Sequence, residues 1–226
     1  MNVEHFAMMY AFIAGEAIQR FGADGKEAVA DGVREYGISY GKRMAERAKA
    51  DGRPNDFVSY LLYGEIDFSE TGNEMQMAQR TPHVEVVCSQ CGWYDAWRRY
   101  GVLDVGQLYC QEIDSAIMHG FNPDFKFEVD GTLTSGAPRC RLIYADGELG
   151  DDTLLTYLAA KSQVGDSAIR PFEFRVAEIY RVLAEVLAQR FGAAGKQAVE
   201  TAMSAFEREY GAEMTSAVFA RINNRP

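Results

Sequence analysis

The sequence lacks any long apolar stretch. No segment approaches the roughly 20 apolar residues that a membrane-spanning helix requires, because polar and charged residues interrupt the chain throughout. The start of the chain also lacks the basic residues and the uninterrupted apolar segment of a secretory signal, since Glu4, Glu16 and Gln19 stand where these would be needed. We therefore expect a cytoplasmic protein with no membrane partner.

Clusters of basic residues are absent as well. The 226 residues include 23 Lys and Arg against 33 Asp and Glu, which gives a formal net charge of −10, and the basic residues are dispersed. Nucleic acids and anionic membranes select clustered Lys and Arg, so neither is an expected partner. With 47% hydrophobic and 25% charged residues, the composition is that of a soluble globular protein. The expected partner is a small-molecule substrate.

Cysteine is scarce, and the four cysteines of the chain are Cys88, Cys91, Cys110 and Cys140. In the cytoplasm such cysteines are more often reduced, catalytic or metal-bound than paired in disulfides. Cys88 and Cys91 form a Cys-x-x-Cys knuckle, but the other two are thirty residues apart, so the spacing supplies only half of a structural zinc site. No βαβ pattern surrounds the knuckle, which argues against a thioredoxin-like role. We expect no cofactor, with zinc as the weaker alternative.

Two stretches of the chain repeat each other. Adding 170 to the residue number carries QRFGADGKEAV onto QRFGAAGKQAV, and 13 of the 31 positions from 14 to 44 are identical. Apolar residues recur at helical spacing before and after Gly22, which predicts an α-helical hairpin in each copy. We expect a first hairpin (1–53), a central α+β module (54–150) and a second hairpin (151–226) in one compact unit. Through the hairpins the chain could form a homo-oligomer.

The central module predicts a small, mainly antiparallel sheet covered by helices, so that the whole chain is an α+β protein with a duplicated helical hairpin at its ends. Alternation of apolar and polar residues indicates strands, and longer apolar periods bounded by glycine indicate helices. The expected elements are a strand over 75–88, a helix over 104–119 that stops at Gly120, strands within 125–130 and 139–144, and a polar connection over 146–170 with one short helical piece.

Cys110 and Asp114 are four residues apart on the predicted helix, so their side chains share a face. Asp inside a helix costs roughly several tenths of a kcal/mol relative to Ala. Asp114 is therefore either a partly desolvated base with a raised pKa or an acid paired with an arginine or a backbone amide. Cys110 and Cys140 are either a thiol nucleophile and its neighbour or small buried hydrophobic residues. Cys110, Asp114 and Cys140 are the candidate catalytic residues.

Four further residues are candidate substrate-binding residues. Trp93 and Phe121 are large aromatic residues that suit either the core or the wall of a pocket. His119 lies near the end of the predicted helix, where a partial positive charge is favourable. Asn122 precedes a proline and is first a turn residue, with donation of a hydrogen bond to a substrate as the alternative.

The order of these motifs resembles the L-2-amino-thiazoline-4-carboxylic acid hydrolase family. The resemblance is carried by Cys-x-x-Cys, a short Trp-bearing helix, LYCQEIDSAIMHGFNPDF and the strand TLTSGAPRCRLIY. It covers residues 80–145 well, the first hairpin loosely and the second hardly at all. More distantly, helices followed by a Cys-bearing sheet and a final Gly-x-x-x-Cys strand resemble the 4-vinyl reductase domains, which are small-ligand sensor modules.

The first resemblance implies a hydrolase that opens a small cyclic C–N or C–S substrate, with water or a thiol attacking an amidine-like carbon. Carried onto this chain, Cys110 and Asp114 become the nucleophile and the base, with Cys140 across the pocket. The more distant resemblance implies a ligand-binding or sensor module whose cysteines are structural. A zinc-dependent hydrolase, with zinc held by residues drawn from Cys110, Asp114, His119 and Cys140, is a further alternative.

Overall fold

The computed structural model describes residues 1–223, and helices account for most of them. None of the described helices is both long enough and apolar enough to cross a membrane. The elements, in chain order, are α1 (Val3–Ala50), α2 (Phe57–Leu62), β1 (Glu74–Gln79), β2 (Val84–Gln90), α3 (Gly92–Tyr100), α4 (Leu103–Phe121), β3 (Phe127–Val129), β4 (Cys140–Tyr144), α5 (Asp151–Val164), α6 (Phe172–Tyr210) and α7 (Ala212–Asn223).

α1 and α6 each consist of two helical arms that are joined at a glycine. The break in α1 is at Gly22 (φ 59°, ψ −128°) and that in α6 is at Gly192 (φ 58°, ψ −130°), a backbone conformation that glycine alone adopts readily. Beyond the break the chain turns back on itself. A Cβ atom on Gly25 would lie 2.2 Å from a carbonyl oxygen of the preceding arm, and one on Gly195 would lie 2.0 Å from its counterpart. Both helices are therefore hairpins whose arms touch beside the turn.

The two hairpins pack on each other through equivalent residues. The rings of Phe21 and Phe191, whose numbers differ by 170, stack with their centroids 3.9 Å apart. The arginine that precedes each ring donates hydrogen bonds to side chains of the opposite hairpin. The accepting residues of the two hairpins also differ by 170 in number. This packing approximates a two-fold axis between the copies. The hydrogen bonds run from Arg20 to Gln197 and Thr201, and from Arg190 to Glu27 and Asp31.

The chain forms two compact units, and each draws on separate stretches of sequence. Unit 1 combines Met1–Tyr36, Gly92–Glu112 and the chain from Pro171 onward, and unit 2 combines Gly37–Cys91 and Ile113–Arg170. Unit 1 thus holds both hairpin turns, α3 and the first half of α4. Unit 2 holds the end of α1, α2, the whole sheet, the second half of α4 and α5.

Within unit 1, two buried donors fix the first arm of α1 to α3 and α4. The indole Nε1 of Trp97 donates to the carbonyl oxygen of Ala7 at 3.0 Å, and the hydroxyl of Tyr10 donates to the carbonyl oxygen of Val105 at 2.9 Å. Both side chains are completely buried. Breaking either hydrogen bond would leave a buried donor unsatisfied, at a cost of about 1–3 kcal/mol.

The sheet of unit 2 is antiparallel, with strand order β1-β2-β4-β3. Together with the surrounding helices, it confirms the predicted α+β class. The expectation of one strand over 75–88 is wrong, because the chain reverses at Thr81–Pro82 between β1 and β2. Proline has no N–H for a sheet ladder, which suits the turn between two strands better than a strand interior.

α4 and α5 are longer than the sequence indicated. α4 continues through Gly120 and ends at Phe121. Gly120 is needed for packing, since a Cβ atom there would lie 2.3 Å from the carbonyl oxygen of Ile38. The connection over 146–170 contains α5, a helix of 14 residues, where a short helical piece was expected. α5 ends at Val164, and Gly165, which follows it, has a positive φ of 56°.

Candidate active site

The candidate site is built on one face of the sheet in unit 2. Alternation along β4 places Cys140, Leu142 and Tyr144 on the same face. The register sets Cys140 directly opposite Cys88 and Tyr144 opposite Val84. Directly opposed residues of an antiparallel pair have Cβ atoms about 4.5–5.5 Å apart. Two thiols and a tyrosine therefore line a single surface.

Glycines bring α4 close to the end of α1 in this unit. A Cβ atom on Gly37 would lie 2.6 Å from the Cβ of Ala116, and one on Gly41 would lie 2.0 Å from the carbonyl oxygen of Ile117. Gly120 is the glycine that α4 contributes to this contact, where it packs against Ile38 of α1. No larger residue fits at these positions without moving a backbone, so the position of this part of α4 is tightly constrained. Asp114 lies on this constrained segment.

Asp114 is the acidic centre of the site. The residue is half-buried, and burial of its carboxyl group raises its pKa from an ordinary value of 3.8 to about 6. Desolvation disfavours the charged form of an acid, which is the physical cause of the shift. The group is therefore mostly ionised at pH 7 but easily protonated, and such a pKa suits a general base that operates near neutral pH.

Two tyrosines lie near this carboxyl group. The rings of Tyr60, on α2, and Tyr144, on β4, have centroids 5.7 Å apart. Burial raises the pKa of Tyr60, and Tyr144 and Asp114 raise it further. Burial followed by the charge of Asp114 also raises the pKa of Tyr144. Both hydroxyls therefore stay protonated at neutral pH. They also hydrogen-bond to each other, and because this bond raises the pKa of Tyr60 and lowers that of Tyr144, Tyr60 is the donor and Tyr144 the acceptor.

Two thiols of unit 2, those of Cys88 and Cys140, also lie close to Asp114. Burial raises the pKa of Cys140, the hydrogen bond that its Sγ accepts from the Leu133 N–H at 3.3 Å lowers it, and Cys91 and Asp114 raise it again. The pKa of Cys88 is raised by its hydrogen bond with Cys91 and then by burial. Cys140 and Cys88 are therefore neutral thiols at pH 7, and either would need a base in order to act as a nucleophile.

A buried ion cluster supports the same region. Glu65 is completely buried, and its carboxylate accepts hydrogen bonds from Arg43 at 2.8 and 3.0 Å and from Arg47 at 2.8 Å. Its backbone N–H donates to the hydroxyl of Tyr40 at 2.9 Å. Tyr40 in turn contributes to the raised pKa of Tyr144. The cluster thus links the end of α1 to the tyrosines beside Asp114.

Two of the residues predicted from the sequence lie in unit 1. Cys110 stands on the first half of α4, and it raises the pKa of the buried Tyr10, for which burial is the larger cause. Trp93 is buried against Phe6 and Phe172, with ring centroids 6.2 and 6.3 Å away. Its indole Nε1 has no hydrogen-bond partner among the described residues.

The other predicted residues lie in unit 2. Phe121 is buried, and its ring meets that of Tyr60 edge to face with centroids 5.5 Å apart. Asn122 donates from Nδ2 to the carbonyl oxygen of Asn55 at 2.8 Å, and its Oδ1 accepts from the backbone of the turn that follows. His119 is exposed on α4. The structure therefore groups Asp114 with Cys140, and Phe121 contacts Tyr60 at the edge of this group.

Sequence reasoning missed the tyrosines of the site. The signal for Tyr144 was present, because it alternates with Cys140 along the predicted strand. Tyr60 had no comparable signal, since the segment that carries it could have been a short helix or an edge strand. The pairing of Cys88 with Cys140 joins strands that are distant in sequence, and local patterns do not specify such pairing.

Metal binding was a separate hypothesis. Across residues 1–223, no group of three or more His, Cys, Asp or Glu side chains is arranged to hold a metal ion.

The comparison with known proteins gives one result that bears on identity. A family model described as L-2-amino-thiazoline-4-carboxylic acid hydrolase matches residues 2–144. The match includes the first hairpin as well as the central module, and it ends before α5 and the second hairpin. No curated protein and no solved structure matched the chain significantly. Because the match spans more than half of the 226 residues, the chain belongs to the L-2-amino-thiazoline-4-carboxylic acid hydrolase family.

Proposed function

We propose that the protein is a cofactor-independent hydrolase that opens a small ring at an amidine- or amide-like carbon by breaking a C–N or C–S bond. Membership of a hydrolase family supports the reaction class. We assign Asp114 as the general base and Cys140 as the nucleophile. The observation that carries this assignment is the desolvated carboxyl group of Asp114, with its pKa of about 6, close to the neutral thiol of Cys140.

In the proposed reaction, the Cys140 thiol adds to the ring carbon while its proton passes to Asp114. The adduct breaks a ring C–N or C–S bond, and the departing atom takes the proton back from Asp114. Water then adds to the covalent intermediate and passes a proton to Asp114, and the bond from carbon to the Cys140 sulfur breaks as that proton moves from Asp114 to the sulfur. Burial raises the pKa of the thiol, so proton transfer to a base during attack lowers the barrier.

The hydroxyl of Tyr144, which accepts a hydrogen bond from Tyr60, completes the proposed site as a donor. Negative charge develops on a ring nitrogen or oxygen when the carbon is attacked, and donors placed beforehand stabilise that charge. Both hydroxyls remain protonated because burial raises their pKa values. Phe121 contacts Tyr60 and supplies an apolar wall.

The test is turnover of 2-amino-thiazoline-4-carboxylic acid and related cyclic amidines by purified variants. We expect Asp114→Asn and Cys140→Ser to lower kcat at least 100-fold, the lower end of what a base or nucleophile contributes. In the wild type, kcat/KM is expected to rise as the pH passes about 6, because ionised Asp114 is the active form. A pH-independent kcat/KM would contradict this assignment.

Cys110→Ser provides the decisive comparison, because the family resemblance implied Cys110 as the nucleophile. Loss of turnover in Cys110→Ser together with full turnover in Cys140→Ser would replace Cys140 by Cys110 in the mechanism. A covalent adduct located by mass spectrometry on Cys140 would support the present assignment. A folded wild type that binds such heterocycles tightly but never turns them over would favour a ligand-binding module instead. One equivalent of tightly bound zinc would favour the metal-dependent alternative.

A further inference from the structure

Cys88 has another cysteine of unit 2 on either side of it. Cys140 is directly opposite Cys88 in the register of β2 and β4. Cys91 lies three residues further along the chain, just after the end of β2. All three residues are reduced. The reaction proposed above uses the thiol of Cys140 and gives Cys88 and Cys91 no role.

The register brings Cys88 and Cys140 within the reach of a disulfide. Directly opposed residues of an antiparallel pair have side chains on the same face and Cα atoms about 4.5 or 5.5 Å apart. Disulfides join residues whose Cα atoms are about 4.4–6.8 Å apart. A disulfide between Cys88 and Cys140 is therefore compatible with the backbone of the sheet.

The thiol of Cys88 also contacts Cys91. Its Sγ donates to the carbonyl oxygen of Gln90 at 2.9 Å, so the side chain is directed toward the turn that carries Cys91. It also forms a hydrogen bond with the Cys91 thiol. Cys88 has only one sulfur atom, so it can form a disulfide with Cys91 or with Cys140 but not with both.

Exposure differs among the three thiols. Cys88 is only 5% exposed, whereas Cys91 and Cys140 are each half-buried. A water-soluble oxidant therefore reaches Cys140 more easily than Cys88, since oxidation of a thiol depends on its exposure. The backbone N–H of Leu133 donates to the Sγ of Cys140 at 3.3 Å. This hydrogen bond stabilises a thiolate on Cys140, which favours departure of that sulfur from a disulfide.

We propose that Cys88 and Cys91 are a resolving pair that returns Cys140 to the thiol after its oxidation by hydrogen peroxide. The peroxide converts the Cys140 thiol to a sulfenic acid and releases one water. The Cys88 thiol attacks the Cys140 sulfur and displaces a second water, which leaves a Cys88–Cys140 disulfide. Cys91 then loses its proton and attacks the Cys88 sulfur. The bond to Cys140 breaks, and the Cys140 sulfur keeps the electron pair and takes up a proton.

The products are a Cys88–Cys91 disulfide and a Cys140 thiol. One peroxide has been reduced to two waters, and two thiols have been oxidised. Exchange protects Cys140, because oxidation beyond the sulfenic acid is largely irreversible. The benefit to turnover rests on the proposed function, in which Cys140 is the nucleophile. The exchange itself depends only on the three thiols.

The first test is disulfide mapping by mass spectrometry. The reduced protein is exposed briefly to hydrogen peroxide, and the remaining thiols are blocked with N-ethylmaleimide. In the wild type, we expect the Cys88–Cys91 disulfide to be at least about tenfold more abundant than Cys88–Cys140. Cys91→Ser should accumulate Cys88–Cys140, because the attacking thiol is gone. Cys110→Ser is the matched control and should give the wild-type pattern.

A wild type in which Cys88–Cys140 persists, or in which no disulfide forms, would overturn the proposal. Cys140→Ser tests the order of steps. It should slow formation of Cys88–Cys91 at least about tenfold, because oxidation begins at Cys140, and an unchanged rate would show direct oxidation of the pair and refute the exchange. Circular dichroism establishes that each variant is folded. None of these measurements uses turnover, so an inactive wild type would defeat the proposed function while the mapping still decided the exchange.

Discussion

Replacing Asp114 by Asn should make the protein more stable at pH 8 while removing its activity. The pKa of Asp114 is raised from 3.8 to about 6 by burial. An acid whose folded-state pKa is raised binds more protons in the folded state than in the unfolded state between these two values, so stability decreases as the pH rises through this window. Above pH 6 the full destabilisation is present. Asn carries no charge at any pH and avoids it.

The size of the effect follows from the shift. A difference of about two pKa units corresponds to about 3 kcal/mol, at about 1.4 kcal/mol per unit. The stability advantage of Asp114→Asn over the wild type should therefore grow by about 2–3 kcal/mol between pH 4 and pH 8. At about 2–4 °C per kcal/mol for a chain of this size, the melting temperature of the variant at pH 8 should be raised by several degrees.

The assay is urea-induced unfolding of wild type and variant at pH 4, 6 and 8. Asp124→Asn is the matched control, since it removes the same charge from an exposed residue, and its effect on stability should vary little with pH. A stability difference between Asp114→Asn and wild type that stays constant within about 0.5 kcal/mol across this range would refute the predicted linkage. A wild type that is the more stable protein at pH 8 would also refute it.

Two further predictions concern the scaffold of the site. Gly120→Ala should destabilise the protein by about 1–3 kcal/mol or more, because its Cβ would enter a backbone contact. Its control is Gly15→Ala in α1, whose Cβ would meet nothing within 4 Å and which should stabilise the protein by about 0.5–1 kcal/mol. Equal effects of the two substitutions in denaturant titrations would contradict the proposed packing at Gly120. Glu65→Gln should cost about 3–5 kcal/mol, because two arginines would lose their buried carboxylate. The exposed Glu46→Gln is its control, and a similarly small loss of stability in both would show that the buried cluster contributes little.

The sequence predicted local features of the site better than its assembly. Asp114 stood out as an acid among apolar residues at helical spacing, and the structure places its carboxyl group in a desolvated position. Apolar alternation indicated the strand that carries Cys140, and β4 occupies that segment. The register opposite Cys88 and the approach of Tyr60 depend on packing between distant segments. Local periodicity carries no information on such contacts, so they could not be predicted from one sequence.

The role of Gly120 also could not be predicted from local sequence. Gly120 looked like a helix stop, because glycine commonly ends a helix. In the structure it is a contact point, and the helix continues past it. The two roles have the same local sequence, since both need a residue without a side chain. Only the position of the partner, Ile38, distinguishes them, and that position depends on the fold as a whole.

The position of α4 also bears on why an acid at position 114 is informative. The close glycine contacts constrain the helix, so Asp114 cannot gain solvation by a small shift of its backbone. The fold therefore holds a carboxylate where it costs about 3 kcal/mol at neutral pH, although an amide of almost the same shape would avoid this cost. Groups that strain or destabilise a folded protein are concentrated at functional sites. Together with the thiol of Cys140 and two protonated tyrosines, this cost favours chemistry at Asp114 over a purely structural role.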